Sequence, residues 1–192
     1  MEEVEKILQF MIEVDKLKAV LRKSRPVGLE RYENSAEHSW HVCVSALMLY
    51  PYANEPVDIN RVIRMLLIHD LGEIDAGDKI IYASETVAQK REEAAGVQRL
   101  LNLLPAAVDD DYLALWMEFE AGESADAKFA KAVDRIPPLL HNIHDEGRGW
   151  KENNITKEMV FGLNSKRISA GSTKIWSAVE AWLEKAVADG IL

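Results

Sequence analysis

An apolar run that ends in two polar side chains places the strongest constraint on how this chain folds. Residues 66–68 read Leu-Leu-Ile, His69 and Asp70 follow directly, and Glu73 comes three positions later. Burying an imidazole and a carboxylate without partners costs several kcal/mol, so the fold must supply a partner for both. We expect a divalent cation at this point, and therefore a fold that brings further ligands to it.

The spacing of apolar residues predicts helices along most of the chain. Apolar side chains recur every three or four positions, which is the spacing of one helix face. A first helix is predicted to end in residues 22–26, and Ser35 is predicted to cap a second helix that runs to about Tyr50. Asp58 is predicted to cap a third helix that ends at His69 and Asp70. No period-two strand pattern is found, so the sequence predicts an all-α fold with about seven to nine helices.

Composition limits the class of protein. With 192 residues, 48% hydrophobic and 29% charged, the chain is predicted to form a single domain over residues 1–192. The formal net charge of −9 argues against nucleic acid or an anionic membrane as the main partner. Cys43 is the only cysteine, the acidic N-terminus does not resemble a signal peptide, and no apolar run approaches ~20 residues. These features predict a cytoplasmic protein without an internal disulfide.

The remaining histidines and buried-type carboxylates supply candidate ligands for the cation. The five histidines are His38, His41, His69, His141 and His144. His38 lies in the first turn of its predicted helix, on a face shared with apolar residues. Asp134 is a charge among apolar neighbours, and it is either a further ligand or a structural residue paired with Arg135 or Lys131. Two imidazoles and two carboxylates suit one divalent ion of Mn²⁺, Co²⁺, Fe²⁺, Ni²⁺, Zn²⁺ or Mg²⁺.

These residues occur in an order that resembles a known family. Glu37-His38, then His69-Asp70, then Asp134 resemble the HD-domain metal-dependent phosphohydrolase superfamily. Within it, the segments 33–39, 69–73 and 77–78 are most similar to the 5′-deoxynucleotidase-like branch. The resemblance covers residues 15–140 or so and implies an HD-domain helical bundle. The residue pattern predicts additional C-terminal helices at about 156–188.

The resemblance implies roles for particular residues. The implied metal ligands are His38, His69, Asp70 and Asp134, the implied catalytic residues are Glu73 and Asp70, and the implied substrate-binding residues are Arg22, Gly77 and Asp78. Glu73 would orient the attacking water or protonate the leaving oxygen, and Asp78 would meet a sugar hydroxyl, with Gly77 permitting close approach. Arg22, or failing that Arg25 or Arg31, would bind the phosphate, because guanidinium binds phosphate oxygens in pairs. Lys23 follows Arg22, where the nucleotidase pattern has a tryptophan.

The same resemblance implies one metal ion and a hydrolytic function. Dinuclear members of the superfamily draw extra histidines from the interval between Leu71 and Val133, where this chain has none. The implied reaction is hydrolysis of a phosphomonoester, a (deoxy)nucleoside 5′-monophosphate above all, by a metal-activated water. The alternative is a binding protein and not an enzyme: a helical protein whose metal ion stabilises the fold and which binds a nucleotide or a partner without hydrolysing it.

Three features of the sequence each allow two interpretations. Glu37 either orients His38 or is a helix-start carboxylate favoured by the helix dipole. His141 and His144 are interpreted as helix-surface residues or as neighbours of the metal ligands. The resemblance also implies a homodimer, which an apolar stripe on the last helix could form, although packing inside the monomer is the preferred interpretation of the stripe. That stripe comprises Ile175, Trp176, Val179, Trp182 and Leu183.

Overall fold

The computed structural model describes residues 2–83, 86–106 and 111–192. Within these ranges the chain is helical, and a single isolated bridge between Leu21 and Asn34 is its only β-type pairing. The helices are α1 (Glu3–Asp15), α2 (Ser35–Leu49), α3 (Ile59–Ile68), α4 (Glu73–Ala76), α5 (Val87–Leu101), α6 (Tyr112–Ala121), α7 (Ala125–Asp134), α8 (Ile136–His144), α9 (Arg148–Glu152), α10 (Lys157–Gly171) and α11 (Thr173–Ala188). Nine of these described helices have nine residues or more, and the predicted all-α fold is confirmed.

The end of the first helix differs from the prediction. Helix α1 stops at Asp15, and a 3₁₀ turn over Lys16–Ala19 follows it. The chain then runs extended, because the Arg22 amide donates to the Glu33 carbonyl over 2.8 Å and the Ser35 amide donates to the Val20 carbonyl over 3.0 Å. This pairing carries Arg22 into the interior, where only 9% of it is exposed.

The N-terminus of α2 also differs from the prediction by one residue. Asn34, not Ser35, is the N-cap: its side chain accepts from the Glu37 amide, and the Glu37 carboxylate accepts from the Asn34 amide over 2.7 Å. Such a reciprocal pair satisfies two amides that a helix start leaves without partners. Ser35 is therefore the first helical residue, and its hydroxyl is directed to another part of the molecule. The predicted N-cap Asp58 of α3 is confirmed.

Helix α7 lies at the centre of the bundle. It packs against α10, α3, α6 and α2, and Phe129 in its middle is fully buried. The crossing with α10 is close at Gly171, where an added Cβ atom would lie 2.5 Å from the carbonyl oxygen of Lys128. Glycine is therefore required at this point. The central position of α7 brings its last residue, Asp134, into the interior.

The C-terminal helix α11 packs mainly on its own subunit. Within the predicted stripe, Ile175, Trp176, Val179 and Leu183 are buried, whereas Trp182 is 52% exposed. Packing inside one subunit therefore accounts for four of the five stripe residues. No helix in the described part of the chain has the length and apolar character needed to cross a bilayer.

Candidate metal centre

Three of the predicted ligands, from three helices, meet in the interior. His38 lies on α2, His69 follows α3, and Asp134 ends α7. Asp134 Oδ1 lies 2.8 Å from His38 Nε2 and 3.5 Å from His69 Nε2. Each residue is at most 4% exposed, and their potential ligand atoms all lie within 4.8 Å of one another.

Asp70 lies beside this group and divides its two oxygens. Its Oδ1 is 3.1 Å from His69 Nε2, while its Oδ2 accepts a hydrogen bond of 2.8 Å from Arg22 Nη1. One carboxylate oxygen therefore faces the three converging ligands, and the other is neutralised by a guanidinium. Asp70 is therefore placed as a possible fourth ligand at the edge of the group formed by His38, His69 and Asp134.

The hydrogen bonding of His69 fits a metal ligand. In the neutral ring, Nδ1–H donates to the Leu66 carbonyl over 2.8 Å, which leaves the lone pair on Nε2. That Nε2 is buried and has no hydrogen-bond partner among the described residues. Atoms bound to one ion at about 2.0–2.2 Å lie roughly 3–3.5 Å from each other, which matches the spacing of these ligand atoms. The residues present therefore fit a divalent metal.

The titration of these groups follows from how closely they are packed. Burial lowers the pKa of His69, but Asp70 and Asp134 outweigh that effect and raise the pKa to about 9. Burial opposes ionisation of Asp134, yet Arg135 and the two histidines hold its pKa well below the usual range. The carboxylates of Asp70 and Asp134 thus favour a positive charge beside them. In the metal-free protein a proton on His69 supplies this charge, and in the metal-bound protein the metal ion would supply it.

Two residues lie behind the candidate ligands: Glu33, to which sequence reasoning assigned no role, and Arg135, which it named as a pairing partner of Asp134. Glu33 is 2% exposed, and its Oε2 lies 3.5 Å from His38 Nδ1, on the ring edge opposite Asp134. A carboxylate behind a ligating histidine fixes the ring and its tautomer. Arg135 pairs with Asp134 Oδ2 through Nε over 3.0 Å. The ion pair between Asp134 and Arg135 that the sequence suggested is therefore present. It uses Asp134 Oδ2, whereas Oδ1 contacts His38. Position 33 stands in the family-like segment 33–39, which is the one signal that could have indicated Glu33.

The acidic residues after the His-Asp pair cluster around Arg22. Its Nη1 lies 3.6 Å from Asp78 Oδ1 and 3.9 Å from Glu73 Oε1, in addition to its bond to Asp70. Ser35 Oγ donates to Glu73 Oε2 over 2.6 Å. Burial and the nearby Asp70 raise the pKa of Glu73 to about 9, so this carboxyl can hold a proton at neutral pH.

Gly77 gives the chain the turn that brings Asp78 back to this cluster. Residues Glu73–Ala76 form the short helix α4, and Gly77 ends it with φ of +74°. Residues with a Cβ atom rarely adopt this conformation, so glycine is favoured here. The turn lets Glu73 and Asp78 approach the same guanidinium.

A cavity of about 610 Å³ opens beside these residues. Its walls include the predicted site residues Arg22, His69, Asp70, Glu73, Gly77, Asp78 and Asp134. Basic side chains also line it, namely Lys23, Lys79, Lys90, Lys131, Arg135 and Arg167. Together with Arg22 they make seven basic side chains, against six carboxylates in the same lining. The wall of the cavity is therefore close to neutral, whereas the whole chain carries a net charge of −9.

The alternative phosphate-binding arginines are engaged elsewhere. Arg25 donates to both carboxylate oxygens of Glu152 at 3.0 and 3.2 Å, and neither residue is among the described lining of the cavity. Arg31 pairs with Glu37. Glu37 therefore acts as a helix-start carboxylate, and Arg22 is the one of the three predicted arginines that lines the cavity.

The remaining histidines have distinct surroundings. His141 is 4% exposed and lies near Glu33, with 3.8 Å between Nδ1 and Oε1. His144 packs against the ring of Trp182 at a centroid distance of 6.2 Å. His141 is thus a buried neighbour of Glu33 and not a helix-surface residue.

This fold and this arrangement of ligands are those of a defined class, and the chain belongs to the HD domain family, which it matches over residues 14–176. The resemblance inferred from the sequence is confirmed. Among individual relatives, 5′-deoxynucleotidase HDDC2 of Xenopus laevis is 32% identical over 146 residues, covering 73% of this chain and 69% of the relative. HDDC2 of Homo sapiens is 28% identical over 138 residues, covering 70% of this chain and 65% of the relative.

Solved structures show the same relationship. A predicted metal-dependent phosphohydrolase from Magnetospirillum magnetotacticum MS-1 is 44% identical, with a TM-score of 0.91 and coverage of 99% of this chain and 98% of that one. A conserved hypothetical protein from Pyrococcus furiosus shares the fold at 19% identity, with a TM-score of 0.60 and coverage of 94% and 99%. The family match extends past the predicted limit at residue 140 and includes most of the C-terminal helices.

Proposed function

We propose that this protein is a metal-dependent phosphohydrolase that cleaves phosphomonoesters, in particular (deoxy)nucleoside 5′-monophosphates. The observation that carries the proposal is the convergence of His38, His69 and Asp134 beside a cavity that His69 and Asp134 line. The names of the HDDC2 relatives and the phosphohydrolase neighbour from Magnetospirillum support the same reaction. The matched stretch spans about two thirds of the length of the HDDC2 relatives. The substrate of this protein is therefore part of the proposal.

His38, His69, Asp70 and Asp134 would hold one divalent ion. When bound, such an ion lowers the pKa of water and stabilises charge on phosphoryl oxygens, an effect worth several kcal/mol. The unpartnered, buried Nε2 of His69 supports this assignment, because a buried polar atom without a partner is unfavourable unless something else occupies it. Glu33 and Arg135 would keep His38 and Asp134 oriented.

Glu73 is assigned the proton transfer. Ser35 fixes one of its oxygens at 2.6 Å, and the carboxyl lines the cavity three residues after Asp70. Because burial and Asp70 favour its protonated form, Glu73 can donate a proton to the leaving oxygen of the substrate. Proton transfer by a positioned carboxyl is the part of the reaction that the protein itself contributes.

Substrate binding is assigned to the other side of the cavity. Arg22 is assigned the contact with the phosphate, and Asp78 the contact with a sugar hydroxyl beside Gly77; this assignment is supported by the position of all three residues in the cavity lining. The cavity continues to the side chains of Tyr82, Trp150 and Asn164, and its volume of about 610 Å³ is in the range of small-molecule sites. It therefore has room for a nucleoside as well as a phosphate.

Three further expectations from the sequence stay predictions. They are the single-domain organisation over residues 1–192, the cytoplasmic location and the homodimer. The absence of nucleic-acid and membrane partners rests on the acidic composition and is likewise a prediction.

A phosphate-release panel tests the proposed function. Purified protein is stripped of metal, supplied separately with Mn²⁺, Co²⁺, Ni²⁺, Zn²⁺ or Mg²⁺, and given deoxy- and ribonucleoside 5′-monophosphates. We expect phosphate release that requires an added metal, with nucleoside 3′-monophosphates as the comparison substrates. Protein that binds a metal and releases no phosphate from any of these compounds would instead support the non-catalytic binding protein.

A further inference from the structure

A second group of ligand-type side chains lies next to the Nδ1 edge of the His38 ring. It comprises Glu33, His41 and His141, whose potential ligand atoms all lie within 4.8 Å of one another. Glu33 precedes α2, His41 lies on α2, and His141 lies on α8. Two of these positions are more than 95 residues from the third, so the tertiary fold, and not sequence proximity, brings the group together.

We propose that Glu33, His41 and His141 form a second metal site, separate from the ligands at the cavity, for Zn²⁺ or an ion of similar preference. Two imidazoles and one carboxylate are a donor set that binds Zn²⁺ and Co²⁺ well. Three protein ligands leave one position of a tetrahedral ion for water. None of the three residues belongs to the ligand set proposed for the hydrolytic metal.

The state of His141 is the observation that points to a ligand. The residue is 4% exposed, and its Nδ1 is buried without a hydrogen-bond partner in the described part of the chain. Glu33 Oε1 lies 3.8 Å from that nitrogen, too far for a hydrogen bond. Two ligands that each lie about 2.1 Å from one ion can be separated by up to about 4.2 Å, so an ion fits between these atoms.

His41 completes the group from the solvent side. Its ring stacks on that of His141 at a centroid distance of 5.6 Å and an interplanar angle of 29°. His41 is half-buried, whereas Glu33 and His141 are buried, so an ion can reach the group past this residue. Burial also lowers the pKa of His141, which keeps the ring neutral and its lone pair available near pH 7.

Glu33 can serve both sites because its two oxygens face different ways. Oε2 accepts from Ser24 Oγ at 3.1 Å and lies 3.5 Å from His38 Nδ1. Oε1 is the oxygen near His141. An ion at the second site would therefore leave the contact with His38 in place.

The number of bound ions tests the proposal without reference to activity. Metal-free protein is dialysed against buffered Zn²⁺, and the ions per chain are measured by elemental analysis. His41→Gln and His141→Gln should each bind one ion fewer than the unchanged chain. His144→Gln is the matched control, since this histidine packs on Trp182 and is outside the group, and it should bind as many ions as the unchanged chain.

The proposal is overturned if the His41 and His141 variants bind the same number of ions as the unchanged chain. Circular dichroism shows whether each variant is folded. The two variants remove ligands from different helices, so either one decides the question if the other does not fold. An inactive chain that still loses one ion on substitution of His141 would contradict the proposed hydrolysis and support this second site.

Discussion

Arg22 and Asp70 are 48 residues apart in the sequence, yet Arg22 Nη1 donates to Asp70 Oδ2 over 2.8 Å in the interior. The same guanidinium lies within 4.0 Å of Glu33, Glu73 and Asp78. One buried guanidinium thus lies within 4.0 Å of four carboxyl groups around the candidate metal centre. The segment after α1 is held there by its pairing with residues 33–35, which makes Arg22 part of the site's framework as well as of its cavity wall.

Removing this cation is expected to destabilise the metal-free protein. Arg22→Met leaves the buried Asp70 carboxylate without its counter-charge, and breaking a buried ion pair from one side costs about 3 kcal/mol or more. For a chain of this size, that corresponds to a fall in Tm of roughly 6–12 °C. Calorimetry in the presence of a chelator measures it. Arg25→Met is the matched control, since its partner Glu152 is exposed, and equal losses in the two variants would show that Arg22 has no special structural role.

Glu73→Gln is expected to lower turnover while the metal remains bound. Glutamine keeps the size of the side chain and can still contact Ser35, but it cannot donate the proton that the leaving oxygen needs. Loss of a general acid lowers kcat by about 10²-fold or more. Elemental analysis and phosphate release measure the two effects separately.

Asp75→Asn is the control for Glu73, because Asp75 lies on the same short helix and pairs with Arg99 at the surface over 2.8 Å. This variant should keep normal turnover. If Glu73→Gln loses its metal together with its activity, Glu73 belongs to the ligand set and not to the proton transfer.

Asp134→Asn is expected to remove both hydrolysis and one bound ion. Asp134 Oδ1 is the atom shared by His38 and His69, so an amide at this position weakens the ligand set at its centre. Losing several kcal/mol of metal-assisted stabilisation lowers the rate by ~10³-fold or more. Metal content and phosphate release are measured on the same sample. Asp126→Asn, in the first turn of the same helix and paired with Arg61, should keep both properties. Full activity of the Asp134 variant would exclude the proposed centre.

Cys43 is expected to be unreactive in the folded protein. It is 8% exposed, and burial raises the pKa of its thiol to about 11 from an ordinary value of 9.0. Since the thiolate is the reactive form, the folded protein at pH 8 has about 100-fold less of it than an exposed cysteine has. Reaction with a thiol reagent should be slow at pH 8, faster as the pH approaches 11, and rapid in urea. Rapid reaction of the folded chain at pH 8 would mean that α2 opens readily at this position.

Local sequence patterns predicted most of the helices, because a helix start depends on a few adjacent residues. Asp58 caps α3 as its position indicated. At the start of α2 two capping residues stand side by side, and the reciprocal bonds between Asn34 and Glu37 decide between them. The end of α1 was predicted too late, since the apolar spacing continues to Leu21 although the chain leaves the helix to pair with Asn34.

The sequence by itself determined that the chain is helical and that His38, His69 and Asp134 are ligand-type side chains in apolar surroundings, because both follow from residue type and spacing. The tertiary structure decided which side chains support them. Ser35 on Glu73 and Arg22 on Asp70 join residues from separate segments. Such contacts depend on how helices cross and where an extended segment pairs, and no local pattern encodes those distances.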